Sequence, residues 1–84
     1  MNDKTLIAVK LPATGMTYDF WVSDDLYMQE VSQLICQAME TIEPEFFRYT
    51  GRQTLIYGRT GQIQDPSATV GEIGFVDGDA FLIV

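Results

Sequence analysis

The chain has 84 residues, enough for one domain, and its 46% hydrophobic and 20% charged residues place it among folded globular proteins. Its formal net charge of −7 argues against binding to nucleic acid or to anionic membrane surfaces, because both are themselves negatively charged. One cysteine and no histidine exclude an internal disulfide, a four-cysteine iron–sulfur cluster, a histidine-based metal site and a Ser-His-Asp triad.

Two alternating segments near the start predict a β-hairpin. Apolar side chains recur at every second position in residues 5–11 and again in residues 17–22. The segment between them contains Pro12 and Gly15, which favour a turn. The hairpin side chains expected to face the core are Ile7, Val9, Leu11, Tyr18, Phe20 and Val22.

The next segment predicts the only long helix. Its apolar residues recur at spacings of three and four, which gives a single apolar stripe. Ser23 is the expected N-cap, and Asp24 and Asp25 would then place negative charge in the first turn, where the helix dipole favours it. Pro44 disfavours helical geometry in the residue before it, so the helix is expected to end near Ile42, after about 17 residues.

Two short apolar runs after the helix predict the remaining strands. Residues 54–57 form the first run, and residues 80–84 form the second, with aromatic and β-branched members. The loop between them is expected to contain a short strand near residues 62–64 and a single helical turn at residues 69–73. Gly78 lies between two aspartates and indicates a turn just before the last strand.

This order of hairpin, helix, strand, loop and strand resembles the ubiquitin-like β-grasp superfamily over nearly the whole chain. Residues 55–58 (Leu-Ile-Tyr-Gly) resemble the third strand of ubiquitin. Residues 69–84 resemble the ending of the superfamily: a short turn, an apolar anchor, an acidic glycine turn and the last strand. The resemblance implies an α+β fold for a single domain at residues 1–84, in which a four- to five-stranded mixed sheet packs on one long helix.

Within that superfamily the chain resembles the EsaB/YukD group, small bacterial accessory proteins of type VII (WXG100) secretion systems. The similarity lies in the total length, in the helix run at residues 31–39, and in Ile73 followed by residues 76–79. It implies a cytoplasmic, non-catalytic accessory or regulatory protein that binds secretion components and carries no cofactor. No secretory signal is expected from the first residues, and no apolar run in the sequence is long enough to cross a membrane. The oligomeric state stays open.

Two other functions also stay open. A small β-grasp subunit of a multicomponent aromatic monooxygenase would likewise lack catalytic residues of its own. A ubiquitin-like modifier or sulfur carrier acts through a flexible C-terminal Gly-Gly, whereas residues 82–84 are expected to belong to the last strand. Conjugation would therefore require a longer natural chain that continues beyond Val84.

The residues that could carry chemistry are interpreted as structural. Cys36 lies near the apolar stripe without a basic neighbour, which predicts an inert, partly buried thiol. Asp77 and Asp79 resemble a fragment of a calcium loop but lack the later ligands, so they are interpreted as part of a turn. No catalytic or metal site is therefore assigned, and the protein is expected not to be an enzyme.

Strand alternation predicts a protein-binding surface on the sheet face that points away from the helix. The residues that alternate with the core positions are apolar, whereas a sheet face in water is normally polar. A contiguous apolar patch with a tryptophan favours protein recognition. Isolated exposed apolar residues are nevertheless common, and loops could cover the face. The residues assigned to the patch are Ala8, Trp21, Ile56, Leu82 and Val84, with Leu6 beside them.

Three of the five basic residues lie around the third strand. Arg52 and Arg59, together with Arg48, are expected to border this patch and to fix the register of an acidic partner segment. The alternative is a solvated basic edge that balances neighbouring acidic residues.

Overall fold

The fold is a four-stranded mixed sheet with one long helix packed on one of its faces. A computed structural model describes residues 3–84, and the first two residues, which the sequence assigns to the same domain, lie outside the described residues. The elements are β1 (Lys4–Leu11), β2 (Met16–Ser23), α1 (Met28–Ile42), β3 (Leu55–Tyr57), α2 (Val70–Ile73) and β4 (Asp79–Ile83). The strand order is β2-β1-β4-β3, with β1 parallel to β4 and the other two pairs antiparallel. The predicted ubiquitin-like β-grasp is confirmed.

The core lies between α1 and the sheet. The helix buries the apolar stripe that its spacing predicts, and strand alternation delivers the facing side chains. The six hairpin side chains predicted to point inward lie in this core or pack directly against it, as do the inward side chains of β3 and β4. The buried ones are Ile7, Val9, Leu11, Val22, Leu55, Phe81 and Ile83, and the half-buried ones are Tyr18, Phe20 and Tyr57.

The start of α1 corrects the sequence-based prediction. The helix begins at Met28, so Ser23 is not its N-cap and the aspartates at 24 and 25 are not in its first turn. The loop before α2 decides this, because its carbonyls at residues 66 and 68 accept hydrogen bonds from the first two N–H groups of the helix. Glu30 supplies the acidic group of the first turn, and its carboxylate accepts the N–H of Tyr27 at 3.1 Å.

Asp24 has a different role from the predicted one. Its carboxylate accepts the Thr5 hydroxyl at 2.6 Å, and its carbonyl accepts the Gly71 N–H at 3.0 Å. It therefore ties β1 to α2.

The strands differ from the predictions by one or two residues. β4 begins at Asp79 and ends at Ile83, and Val84 continues the pairing through two backbone hydrogen bonds with Thr54. The predicted strand near residues 62–64 is reduced to a single bridge between Gln62 and Tyr57. The predicted helical turn at residues 69–73 is confirmed as α2.

Candidate protein-binding face

The outer face, defined here as the sheet face opposite α1, carries apolar side chains on all four strands. Trp21 and Val84 are 57% and 55% exposed, which shows that solvent reaches both ends of this face. The other outward apolar side chains are half-buried between their neighbours, except Ala80, which is exposed. The apolar residues of the outer face are Leu6, Ala8, Trp21, Ile56, Ala80, Leu82 and Val84.

The strand register divides these residues into two clusters. Trp21 pairs across β2 and β1 with Leu6, whereas Ile56 pairs across β3 and β4 with Leu82. Leu6 and the residue opposite Leu82 are four positions apart on β1. Trp21 and Leu82 are therefore separated by about 13 Å along the strands and about 10 Å across them. Strand order alone would place Trp21, Ala8, Leu82 and Ile56 in a row across the sheet, but the register displaces Trp21 and Leu82 along the strands.

A row of small residues crosses the sheet between the two clusters. Ala8 lies opposite Ala80, and the Gly58 N–H donates to the Ala80 carbonyl at 2.8 Å. A Cβ at Gly58 would lie 2.9 Å from that carbonyl oxygen, so the close approach of these strands requires glycine. The outer face is consequently shallow between two raised apolar clusters, a shape that fits side chains projecting from a partner.

Charged residues interrupt the apolar surface. Asp19 lies opposite Ala8 on the β2 side, and Lys10 lies opposite Leu82 on β1. The outer face is thus apolar at two ends and amphipathic in the middle, which favours a partner surface with both apolar and polar groups.

Arg59 does not border the outer face with its charged group. Its guanidinium lies 3.1 Å from the carboxylate of Asp79, which is buried and belongs to the inward-facing positions of β4. The same carboxylate accepts the Tyr57 hydroxyl at 2.9 Å and the Val76 N–H at 3.0 Å. Burial raises the pKa of Tyr57, and the hydrogen bond to Asp79 raises it further. Asp79 is therefore a structural anchor, beyond the turn role that its sequence predicted.

Arg52 lines a groove between α1 and the free edge of β3, here called the side groove, with a volume of about 270 Å³. Arg48 is exposed in the preceding loop. Arg52 and Arg59 therefore each have neighbours other than the apolar residues that they were expected to border. The lining of the side groove includes Gln29, Ser32, Gln33, Arg52, Leu55 and Gln64.

Sequence reasoning missed the side groove entirely. Its lining comes from α1, from the loop before β3 and from residues 63–66, which are distant in sequence. Four glutamines line the groove, at positions 29, 33, 53 and 64, and their places in the sequence indicate no common location. The groove is visible only after the chain has folded.

Cys36, the one cysteine of the chain, is fully buried, and burial raises the pKa of its thiol to about 11. Among residues 3–84 no group of His, Cys, Asp and Glu is arranged to hold a metal ion. Within that same range no helix is long and apolar enough to cross a membrane.

Solved structures share this fold at low sequence identity. The EccD5 ubiquitin-like domain of Mycobacterium xenopi matches with a TM-score of 0.80 and 13% identity over 99% of this chain and 94% of that chain. The ubiquitin-like domain of the Mycobacterium tuberculosis type VII secretion protein EccD1 matches with a TM-score of 0.73 and 14% identity over 100% of this chain and 99% of that chain.

A chain of the ESX-5 inner membrane complex (MycP5-free, State II) matches with a TM-score of 0.80 and 15% identity, over 99% of this chain and 21% of that one. No protein-family model and no curated protein matches the sequence. The chain therefore has a ubiquitin-like fold similar to that of EccD domains.

Proposed function

We propose that this chain is a non-conjugated, non-catalytic ubiquitin-like module that binds protein partners in a type VII secretion system. It acts as a cytoplasmic accessory or regulatory component, the role implied by its resemblance to the EsaB/YukD group. The observation that carries the proposal is the outer face, where all four strands of the sheet present apolar side chains to solvent.

The structural neighbours support the choice of secretion system. Two of them are ubiquitin-like domains of EccD proteins, and one belongs to an inner membrane complex. A protein of such a complex would cover the exposed apolar side chains of the outer face. The expected contacts are the cluster of Trp21 with Leu6 and the cluster of Ile56, Leu82 and Val84, with Ala8 between them.

Affinity capture from the native host, followed by mass spectrometry, tests this function. The tagged chain is expected to recover components of a type VII secretion system. Trp21→Glu should reduce their recovery by about 30-fold or more, because a buried interface tryptophan commonly contributes at least about 2 kcal/mol. Leu82→Glu should do the same from the other cluster.

Met16→Glu is the matched control. Met16 and Trp21 are on the same strand and are each 57% exposed. They are five residues apart, so their side chains are on opposite faces of the sheet and Met16 does not belong to the outer face. Normal capture by Trp21→Glu and Leu82→Glu, with both variants folded, would refute the outer face as the binding surface. Recovery of an oxygenase instead of secretion components would refute the secretion role.

A further inference from the structure

The free edge of β3 leaves one residue without a backbone partner. In the antiparallel pair with β4, residues 54, 56 and 58 point their backbone groups toward β4, so Leu55 and Tyr57 point theirs away from it. Tyr57 is satisfied there, because its N–H donates to Gln62 and its carbonyl accepts from Gly61. Neither the N–H nor the C=O of Leu55 bonds to any residue in the range 3–84.

This unpaired position faces a space that is ready for an occupant. Leu55 is 2% exposed and lines the side groove, so its backbone groups are removed from bulk solvent yet open onto the groove. The bridge of Gln62 to Tyr57 begins a fifth strand, but the chain then diverges and Gln64 does not reach Leu55. A buried edge with a free donor and a free acceptor favours the addition of an extended segment.

The charge of the side groove differs from that of the whole molecule. The chain carries 12 acidic residues, yet no Asp or Glu is among the described residues that line the groove. Arg52 is the one charged side chain in that lining, and Gln29, Gln33 and Gln64 add neutral hydrogen-bonding groups. The lining of the groove therefore carries a single positive charge in a protein with a net charge of −7.

We propose that the side groove binds an extended peptide segment of a partner protein that carries a carboxylate side chain. The segment exchanges two backbone hydrogen bonds with Leu55, and its carboxylate pairs with the guanidinium of Arg52. The volume of about 270 Å³ suits a few residues of such a segment; small-molecule pockets typically reach about 300–1,000 Å³. This site is separate from the outer face, so either surface can fail its test without affecting the other.

NMR titration of the full chain with short peptides tests the proposal. The probes are capped hexapeptides of alternating Val and Thr with Glu placed at each position in turn, and a matched set with Gln at the same positions. At least one Glu peptide should shift the Leu55 amide proton downfield, because that group gains a hydrogen bond. Ionic strength near 0.15 M limits repulsion by distant carboxylates to a range of about 8 Å.

Arg52→Gln provides the deciding variant and Arg48→Gln its matched control. Both arginines are exposed in the same loop, but only Arg52 lines the groove. Arg52→Gln should weaken binding of the Glu peptide by about three- to tenfold and leave the Gln peptide unchanged, while Arg48→Gln should alter neither. The same spectra report whether each variant is folded.

Three results would overturn the proposal: shifts confined to the outer face or absent everywhere, equal binding of Glu and Gln peptides, and binding that depends on Arg52 but leaves the Leu55 amide unmoved.

Discussion

Asp79 illustrates how one buried carboxylate organises the end of the sheet. It is 5% exposed and accepts from Tyr57, from the Val76 backbone and from Arg59. Three donors compensate for its removal from water, which an unpaired carboxylate could not tolerate. The partners belong to β3, to the loop after it and to the turn before β4, so a single group holds all three together.

Asp79→Ala is expected to lower the free energy of unfolding by about 2–4 kcal/mol, because it leaves the Tyr57 hydroxyl and the Val76 N–H without their acceptor. Urea unfolding followed by tryptophan fluorescence measures the change. Arg59→Gln is the control and should cost no more than about 1 kcal/mol, because the Arg59 side chain is 68% exposed. A larger loss from Arg59→Gln than from Asp79→Ala would contradict the assignment of Asp79 as the anchor.

Tyr18 forms a second clasp, between β2 and the end of α1. Its hydroxyl donates to the carboxylate of Glu43, and this hydrogen bond raises the pKa of Tyr18 above its ordinary value of 10.0. Only the protonated phenol can donate, so the contribution to stability is fully present below pH 10. It is lost as the pH rises through the raised pKa of the folded state.

Wild-type protein is therefore expected to melt at a higher temperature than Tyr18→Phe at neutral pH, and the difference should disappear in strongly alkaline solution. Thermal unfolding measured in a pH series tests this. Tyr27→Phe, which removes an exposed phenol, is the control for the loss of a tyrosine hydroxyl. A constant difference between wild type and Tyr18→Phe across the series would argue against the Glu43 contact.

At the level of elements, the short helix α2 matters more than its four residues suggest. Thr69 caps it: the hydroxyl accepts the Glu72 N–H at 3.2 Å, and the Glu72 carboxylate accepts the Thr69 N–H at 2.9 Å. The backbone hydrogen bond from Thr69 lowers the pKa of Glu72. Val70 is buried in the core, and its N–H donates to Leu26 just before α1. The cap of α2 therefore also supports the start of the long helix.

Thr69→Ala is expected to destabilise the fold by about 1 kcal/mol, as for the loss of a typical helix cap. Hydrogen exchange should show faster opening in α2 and at the N-terminus of α1, since the first N–H of each helix donates to a carbonyl two residues before the other helix. Ser67→Ala is the control, because no hydrogen bond of the Ser67 hydroxyl is described within residues 3–84. Unchanged exchange at the start of α1 in Thr69→Ala would disprove the coupling.

At the scale of the whole molecule, the fold separates two kinds of surface. The outer face is broad and mainly apolar, whereas the side groove is lined by both polar and apolar residues, with Arg52 as its one charged side chain. The side groove lies on the helix side of the sheet, because residues of α1 line it, whereas the outer face is by definition the side opposite α1. The two proposed binding surfaces therefore do not overlap.

Local patterns determined the architecture. Alternation in residues 5–11 and 17–22 and the apolar stripe up to Ile42 are periodicities that the backbone geometry of strands and helices imposes, so they can be read without a structure. The inward positions followed from the same alternation. The end of α1 was also predictable, because Pro44 acts on the residue immediately before it.

Contacts between distant segments decided the rest. The start of α1 depends on carbonyls from residues 66 and 68, which no local signal at Ser23 reveals. The division of the outer face depends on the register between strands. Alternation within one strand decides which face of the sheet a side chain is on, but the pairing of two strands decides which side chains lie next to each other. The exposed Arg59 side chain pairs with Asp79, a carboxylate that the fold buries and that is distant in sequence. The sequence by itself therefore determined the fold and which side chains of each strand point inward. Only the tertiary structure decided which residues become neighbours, because strand pairing joins segments that are far apart in the chain.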